Sequence, residues 1–108
     1  MARYHPDDLG VSVVTLYELL TGVARCRQPA IENQKVAAFL EPLHRLPFDA
    51  VSAQHAAKIR WDLEKRGEMI GPYDVLLAGQ AIALGVTLVS RNLREFQRVA
   101  ALPVESWE

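Results

Sequence analysis

Residues 72–84, PYDVLLAGQAIAL, constrain the fold of this chain more than any other stretch, because thirteen residues carry one charged side chain, Asp74. Proline stands at the first position and Gly85 just past the last, which is the punctuation of a helix start and a helix stop. A helix this apolar needs cover on most of its surface. Val86-Thr87-Leu88-Val89-Ser90 follows directly and reads as a buried strand, rich in β-branched residues. That strand runs into a polar cluster, Ser90-Arg91-Asn92-Leu93-Arg94-Glu95. A helix passing at once into an apolar strand belongs to an α/β arrangement. In open parallel sheets, ligands bind beyond the carboxyl ends of the strands, where helix N-termini gather.

The rest of the chain continues the alternation. Residues 10–14, GVSVV, read as a short strand after the turn-like Pro6-Asp7-Asp8, and residues 15–25 as a helix with Leu16, Leu19, Leu20 and Val23 inward. Residues 34–43 form a second amphipathic helix with Val36, Ala37, Phe39, Leu40 and Leu43 inward. Residues 46–51 make an edge-type strand, since Pro47 cannot donate to a central ladder. Residues 52–66 are a long helix, with Ala56, Ile59 and Leu63 inward and Gly67 as its stop. Residues 92–99 give a short helix, and residues 104–107 a last strand. The alternation predicts a single α/β domain over residues 1–108 with a mainly parallel sheet.

Composition narrows the function classes. At 108 residues the chain has the size of one hydrophobic core. The net charge of −1 sets no global demand for nucleic acid, so any RNA-binding surface has to be local. One cysteine, Cys26, excludes an internal disulfide and fits a reducing cytoplasm. No apolar run approaches the roughly 20 residues that span a bilayer, and the N-terminus lacks the apolar core of an export signal.

Three helix starts hold the candidate chemistry. Glu18 lies in Thr15-Leu16-Tyr17-Glu18 after the first strand, Asp74 in Gly71-Pro72-Tyr73-Asp74, and Asn92 with Glu95 after the strand ending at Ser90. Carboxylate and amide oxygens converging at a sheet edge suit Mg²⁺ or Mn²⁺. Each group also has a plain structural reading. Thr15-x-x-Glu18 has the form of a capping box, Asn92-x-x-Glu95 nearly so, and an acid in a first turn is favoured by the helix dipole. The apolar neighbours of Glu18 and Asp74 weigh toward a ligand role, because an unpaired carboxylate in such a setting is costly. Arg91, Arg94 and Arg98 are placed either to touch RNA phosphates or to be solvated. His5, His44 and His55 lack ligand spacing, and Trp61 and Trp107 read as packing or interface aromatics.

These motifs, in this order, resemble the PIN domains of VapC-type toxins. Residues 11–23, VSVVTLYELLTGV, are similar to the family's second strand and its T-x-x-E-L-x-x-G-V helix. Residues 71–79, GPYDVLLAG, are similar to the segment carrying its third acid, residues 87–96 to its last motif, and residues 104–107 to its terminal strand. The resemblance covers essentially the whole chain. It implies a PIN-like three-layer α/β/α fold and Mg²⁺-dependent hydrolysis of RNA phosphodiesters, with Mn²⁺ as a substitute. Glu18, Asp74 and Asn92 would hold metal, Glu95 would be an auxiliary catalytic group, and Arg91 and Arg94 would contact substrate. It further implies a homodimer neutralised by a VapB-type antitoxin.

The family normally opens with a central strand ending in Asp-Thr-Asn, and no such segment is present here. The expectation is therefore an N-terminally truncated PIN fold that binds Mg²⁺ poorly and cleaves RNA weakly or not at all. The alternative is an inactive PIN remnant that serves as an antitoxin-binding or dimerisation module.

Overall fold

A computed structural model describes residues 9–90 and 92–106. The chain divides into two compact units, one ending at Pro47 and the other beginning at Phe48. In the first unit, strand β1 (Gly10–Ser12) pairs in parallel with β2 (His44–Leu46), with helices α1 (Val13–Arg25) and α2 (Pro29–Leu40) between them in sequence. In the second, helices α3 (Ala50–Arg66) and α4 (Pro72–Leu84) form a hairpin. Strand β3 (Leu88–Ser90), helix α5 (Leu93–Phe96) and strand β4 (Val104–Ser106) follow, with β3 and β4 parallel. The strand–helix alternation and the parallel pairing are those of an α/β fold. Among the described residues no helix is long and apolar enough to cross a membrane.

Several boundaries differ from the sequence expectation. The first helix starts at Val13 rather than Thr15 because Ser12 caps it, its Oγ accepting the Val14 N–H at 3.0 Å. A serine cap is worth about 0.5–2 kcal/mol, enough to outweigh the strand preference of two valines, which differs between residue types by only about 1 kcal/mol. Helix α2 begins five residues early, at Pro29, whose fixed φ suits a first helical position. Strand β2 stops at Leu46, ahead of Pro47, and Asp49 in the expected strand instead caps α3 by accepting the Ser52 N–H at 2.9 Å. The expected 92–99 helix is a single turn, Leu93–Phe96. Trp107, expected in the last strand, lies outside the described residues, as do His5, Asp7 and Asp8.

Helix α4 has the predicted bounds, and Gly67 and Gly85 close α3 and α4 in the left-handed region at φ 68° and 67°. The core of the second unit is a cluster of Ala56, Ile59, Leu63, Ile70, Val75, Ala78, Ala81, Phe96, Val99 and Leu102. At its centre α3 and α4 touch through small residues. A Cβ on Gly79 would lie 2.5 Å from the backbone nitrogen of Ala56. The first unit buries much less: Val23 in α1, Leu40 in α2 and the cap Ser12. Strand β3 was expected to be buried; its three residues are half-buried. Among the described residues it has one hydrogen-bonded neighbour, β4, so its other edge carries no partner strand.

Candidate functional site

Asp74 stands at the third position of α4, in the first turn, and is half-buried. Its helix is positioned from below, since Val75 is 3% exposed, Ala78 is fully buried, and Gly79 abuts Ala56. The α4 N-cap is Gly71, which supplies no side-chain cap; α1 and α3 are capped by Ser12 and Asp49. The first-turn amides of α4 thus offer a partial positive charge beside a fixed carboxylate.

Glu18 sits differently from the sequence expectation. With Ser12 as the cap, Thr15 lies inside α1 and Glu18 falls in its second turn, so the capping-box reading is withdrawn. Nor is Glu18 embedded in apolar surroundings. It is exposed, and its neighbours Tyr17, Leu19 and Leu20 are 56%, 37% and 44% exposed. The desolvation argument therefore does not hold for Glu18.

Asn92 occupies the N-cap position of α5 but makes no side-chain cap hydrogen bond. Its backbone N–H instead donates to Ser90 Oγ at 2.9 Å, which holds the turn after β3. The amide side chain is exposed, Glu95 is half-buried in the single turn that follows, and Arg94 is exposed. Arg91 lies outside the described residues. Val75 and Phe96 belong to one buried cluster, so Asp74 and the Asn92–Glu95 segment are carried by elements of a common core.

Arg98, grouped in sequence with the possible RNA contacts, has a structural role. Its Nη1 donates to the Met69 carbonyl at 2.9 Å, and its own carbonyl accepts from Arg66 Nη2 at 2.7 Å. Arg66 is held in turn by Asp62 at 2.8 Å and Glu68 at 3.1 Å. The hydrogen bond and charge of Asp62, with Glu68 adding, raise the Arg66 pKa, so the guanidinium stays charged throughout the accessible range. This pair of arginines ties the loop that leads into α4, and hence Asp74, to the segment after α5. No sequence motif announces such a tie, because its acceptors are backbone carbonyls.

Among the described residues, no three His, Cys, Asp or Glu side chains converge as a ready metal cluster. A hard cation of the Mg²⁺ type is held by carboxylates and completed by waters, and the described residues bring no such group of donors together. A Cβ on Gly71 would sit 3.1 Å from Asp74 Oδ2. A separate groove of about 340 Å³, lined by Phe48, Ala56, Ile70 and Val75 with Arg60, includes no acid in its lining and does not match such a site.

Comparison with known proteins bears on the fold and the family. A family model described as PIN domain matches residues 1–102. The chain is 36% identical over 97 residues to a tRNA(fMet)-specific endonuclease VapC of Shigella flexneri, covering 90% of this chain and 74% of that protein. It is 38% identical over 97 residues to ribonuclease VapC2 of Haemophilus influenzae, with the same coverage. Among solved structures it resembles VapBC2 from Rickettsia felis bound to a promoter DNA fragment. There the TM-score is 0.88 and the identity 34%, over 92% of this chain and 74% of that one. The VapBC-1 structure from Haemophilus influenzae gives a TM-score of 0.89 at 27% identity, over 96% and 78%.

Proposed function

We propose, from the premise that this chain belongs to the PIN-domain family, that it is the endoribonuclease toxin of a VapBC-type toxin–antitoxin pair. The observation that carries the reading is the match across residues 1–102 to a nuclease family, with Asp74 fixed in the first turn of a firmly packed helix. We read the two compact units as parts of one PIN domain, because a single family model spans both. Relatives carry the names endonuclease and ribonuclease VapC, and a similar solved structure is that of VapBC2 bound to promoter DNA. The partner proposed here is therefore a VapB-type antitoxin, with a second copy of the chain as dimer mate and RNA as substrate.

The cofactor proposed is Mg²⁺, with Mn²⁺ able to replace it. Glu18 and Asp74 would supply carboxylate oxygens and Asn92 an amide oxygen. When bound, such an ion offsets the charge that develops on a phosphate under attack and makes water a better nucleophile. Glu95 would orient the attacking water through its carboxylate. Arg94, exposed on the same turn, and Arg91 would contact backbone phosphates of the RNA, which positions substrate without reading sequence. The lone Cys26 supports a reducing, cytoplasmic setting.

A second reading, a PIN module that binds its antitoxin without cutting RNA, is favoured by one observation: no three acids converge among the described residues. One experiment separates the two. The purified chain is incubated with RNA in Mg²⁺ or Mn²⁺, beside Asp74→Ala and Glu18→Gln. The toxin reading expects metal-dependent cleavage, weak in this chain, that Asp74→Ala abolishes, since removing even the outer partners of metal ligands costs 10–100-fold. Intact RNA in both metals, with antitoxin binding retained, would transfer the conclusion to the binding module.

A further inference from the structure

Helix α3 buries Ser52, Ala56, Ile59 and Leu63, so the residues opposite this stripe face outward. Lys58, Trp61 and Lys65 lie there, spaced three and four apart, which makes side chains neighbours on a helix surface. Trp61, read in sequence as a packing or interface aromatic, is 61% exposed, the most of any large apolar side chain among the described residues. Lys65 Nζ lies 5.6 Å from the centre of its ring, a cation–π contact that takes one face of the indole and leaves the other. The acids of the helix do not neutralise the two lysines. Glu64 is held by Arg60 at 3.1 Å and Asp62 by Arg66 at 2.8 Å, one pair on each flank of the strip.

We propose that the outer face of α3 is a docking strip for single-stranded RNA, with Trp61 as the platform on which one base stacks and Lys58 and Lys65 as phosphate contacts on either side. The inference rests on the reading of the chain as one that acts on RNA, and it involves none of the candidate acids. Single strands are bound by aromatic side chains on which any base can stack, beside cations that track the backbone. Both kinds of group stand here within about two turns of one helix. The whole chain has a net charge of −1, so attraction for a polyanion has to be local. The arginine-bound acids leave the strip such a local surplus. A second copy of the chain fits the strip less well, because a two-fold contact centred on Trp61 would gather four lysines. A lipid surface also fits it less well, since an interfacial helix needs an apolar face and Trp61 is the one large apolar side chain on the strip.

The test is fluorescence anisotropy of a labelled single-stranded oligouridine with the full chain in EDTA, which separates binding from metal and from cleavage. Affinity is followed across a salt series, with thermal midpoints, for the wild type, Trp61→Ala, Trp61→Phe and the double variant Lys58→Ala with Lys65→Ala. The control is Lys35→Ala, at an exposed lysine 3.6 Å from Glu32. Trp61→Ala is expected to weaken binding on the order of tenfold, the scale of one lost base stack, and Trp61→Phe to retain most of the affinity. The double variant is expected to flatten the slope of log affinity against log salt by about 1.4, at roughly 0.7 per phosphate contact on a single strand. Midpoints stay near the wild-type value, because the substituted side chains are exposed. Unchanged affinity in Trp61→Ala overturns the inference, and hands the strip to a second copy if sedimentation shows that variant losing a dimer. An equal loss in Lys35→Ala, or polyglutamate bound as tightly as the RNA, overturns it in favour of plain charge attraction. Metal-dependent cleavage by the wild type beside an unmoved Trp61→Ala leaves the ribonuclease reading standing without this strip. A wild type that neither binds nor cuts RNA overturns both.

Discussion

In the unit beginning at Phe48, α3 and α4 approach so closely that a single added methyl on Gly79 would strike the Ala56 backbone, and ten residues form one buried cluster. In the unit ending at Pro47, α1 and α2 bury Val23 and Leu40, while Tyr17, Leu20, Ile31 and Phe39 remain 44–58% exposed. The candidate acids are divided between these settings. Asp74 stands on the densely packed hairpin, and Glu18 on a helix whose apolar stripe is largely uncovered among the described residues. A metal ligand on a rigid element is held in place before its ion arrives, whereas one on a loosely covered helix is the easier of the two to move.

Core truncation puts the largest strain on this comparison. Leu63 is fully buried and Leu40 is 2% exposed, so the two lose nearly equal transfer free energy on truncation. The cavity cost differs, because it depends on how far the surroundings collapse. Leu63→Ala is expected near the upper end of the roughly 2–5 kcal/mol range and Leu40→Ala near the lower end. Gly79→Ala adds an overpacking cost of about 1–3 kcal/mol in the tighter unit. Urea unfolding of the three variants, with hydrogen exchange followed in each unit, checks the order. Equal losses for the two leucines would remove the distinction between the units.

The same contrast explains what was legible in sequence. Helix α4 was read to the residue because proline and glycine punctuate it chemically, and Ala56, Ile59 and Leu63 were read as core because the α3 stripe meets a partner with the matching period. Helix α1 was misread twice. It starts at Val13, because the cap Ser12 outweighs the strand preference of the two valines that follow. In sequence Glu18 adjoins the apolar Tyr17, Leu19 and Leu20. Adjacency along a helix is not adjacency in space, and those residues are themselves exposed. In the same way Phe39, expected inward, is 58% exposed. The Arg98–Met69 tie spans 29 positions and ends on a carbonyl, so no residue type could have signalled it.

The caps sharpen the comparison at the next level of effect. Helix α1 is capped by a hydroxyl, Ser12, and α3 by a carboxylate, Asp49. The Ser52 backbone N–H, the largest of several hydrogen bonds to it, favours the charged form of Asp49 and lowers its pKa. A carboxyl with a depressed folded-state pKa contributes stability that is complete above its ordinary value and fades as pH falls through the lowered one. Acidification from the ordinary aspartate range downward is therefore expected to lower the thermal midpoint through α3, and Asp49→Asn, which retains a cap, to reduce that slope. Ser12→Ala should cost about 1 kcal/mol with no change in slope. Calorimetric midpoints across the acid limb would measure both, and an unaltered slope in Asp49→Asn would show that the cap is not the titrating contact.

The smallest expected effect bears most directly on what the loosely covered unit is for. Substitutions at exposed sites away from special contacts usually stay within about 0.5 kcal/mol. Leu20→Ser and Phe39→Ser, at 44% and 58% exposure, should therefore leave the stability of the isolated chain nearly unchanged. A loss of 2 kcal/mol or more in either would mean that these side chains are covered in solution, and the contrast between the units would then dissolve. If stability holds, the same variants ask a second question. Apolar side chains kept on the surface of a chain proposed to pair with a VapB-type antitoxin are candidates for that contact. Antitoxin affinity reduced in Leu20→Ser or Phe39→Ser at constant stability would assign the exposed stripe to the partner. It would also explain why Glu18 sits on the less tightly packed of the two units, where a bound chain can reach it.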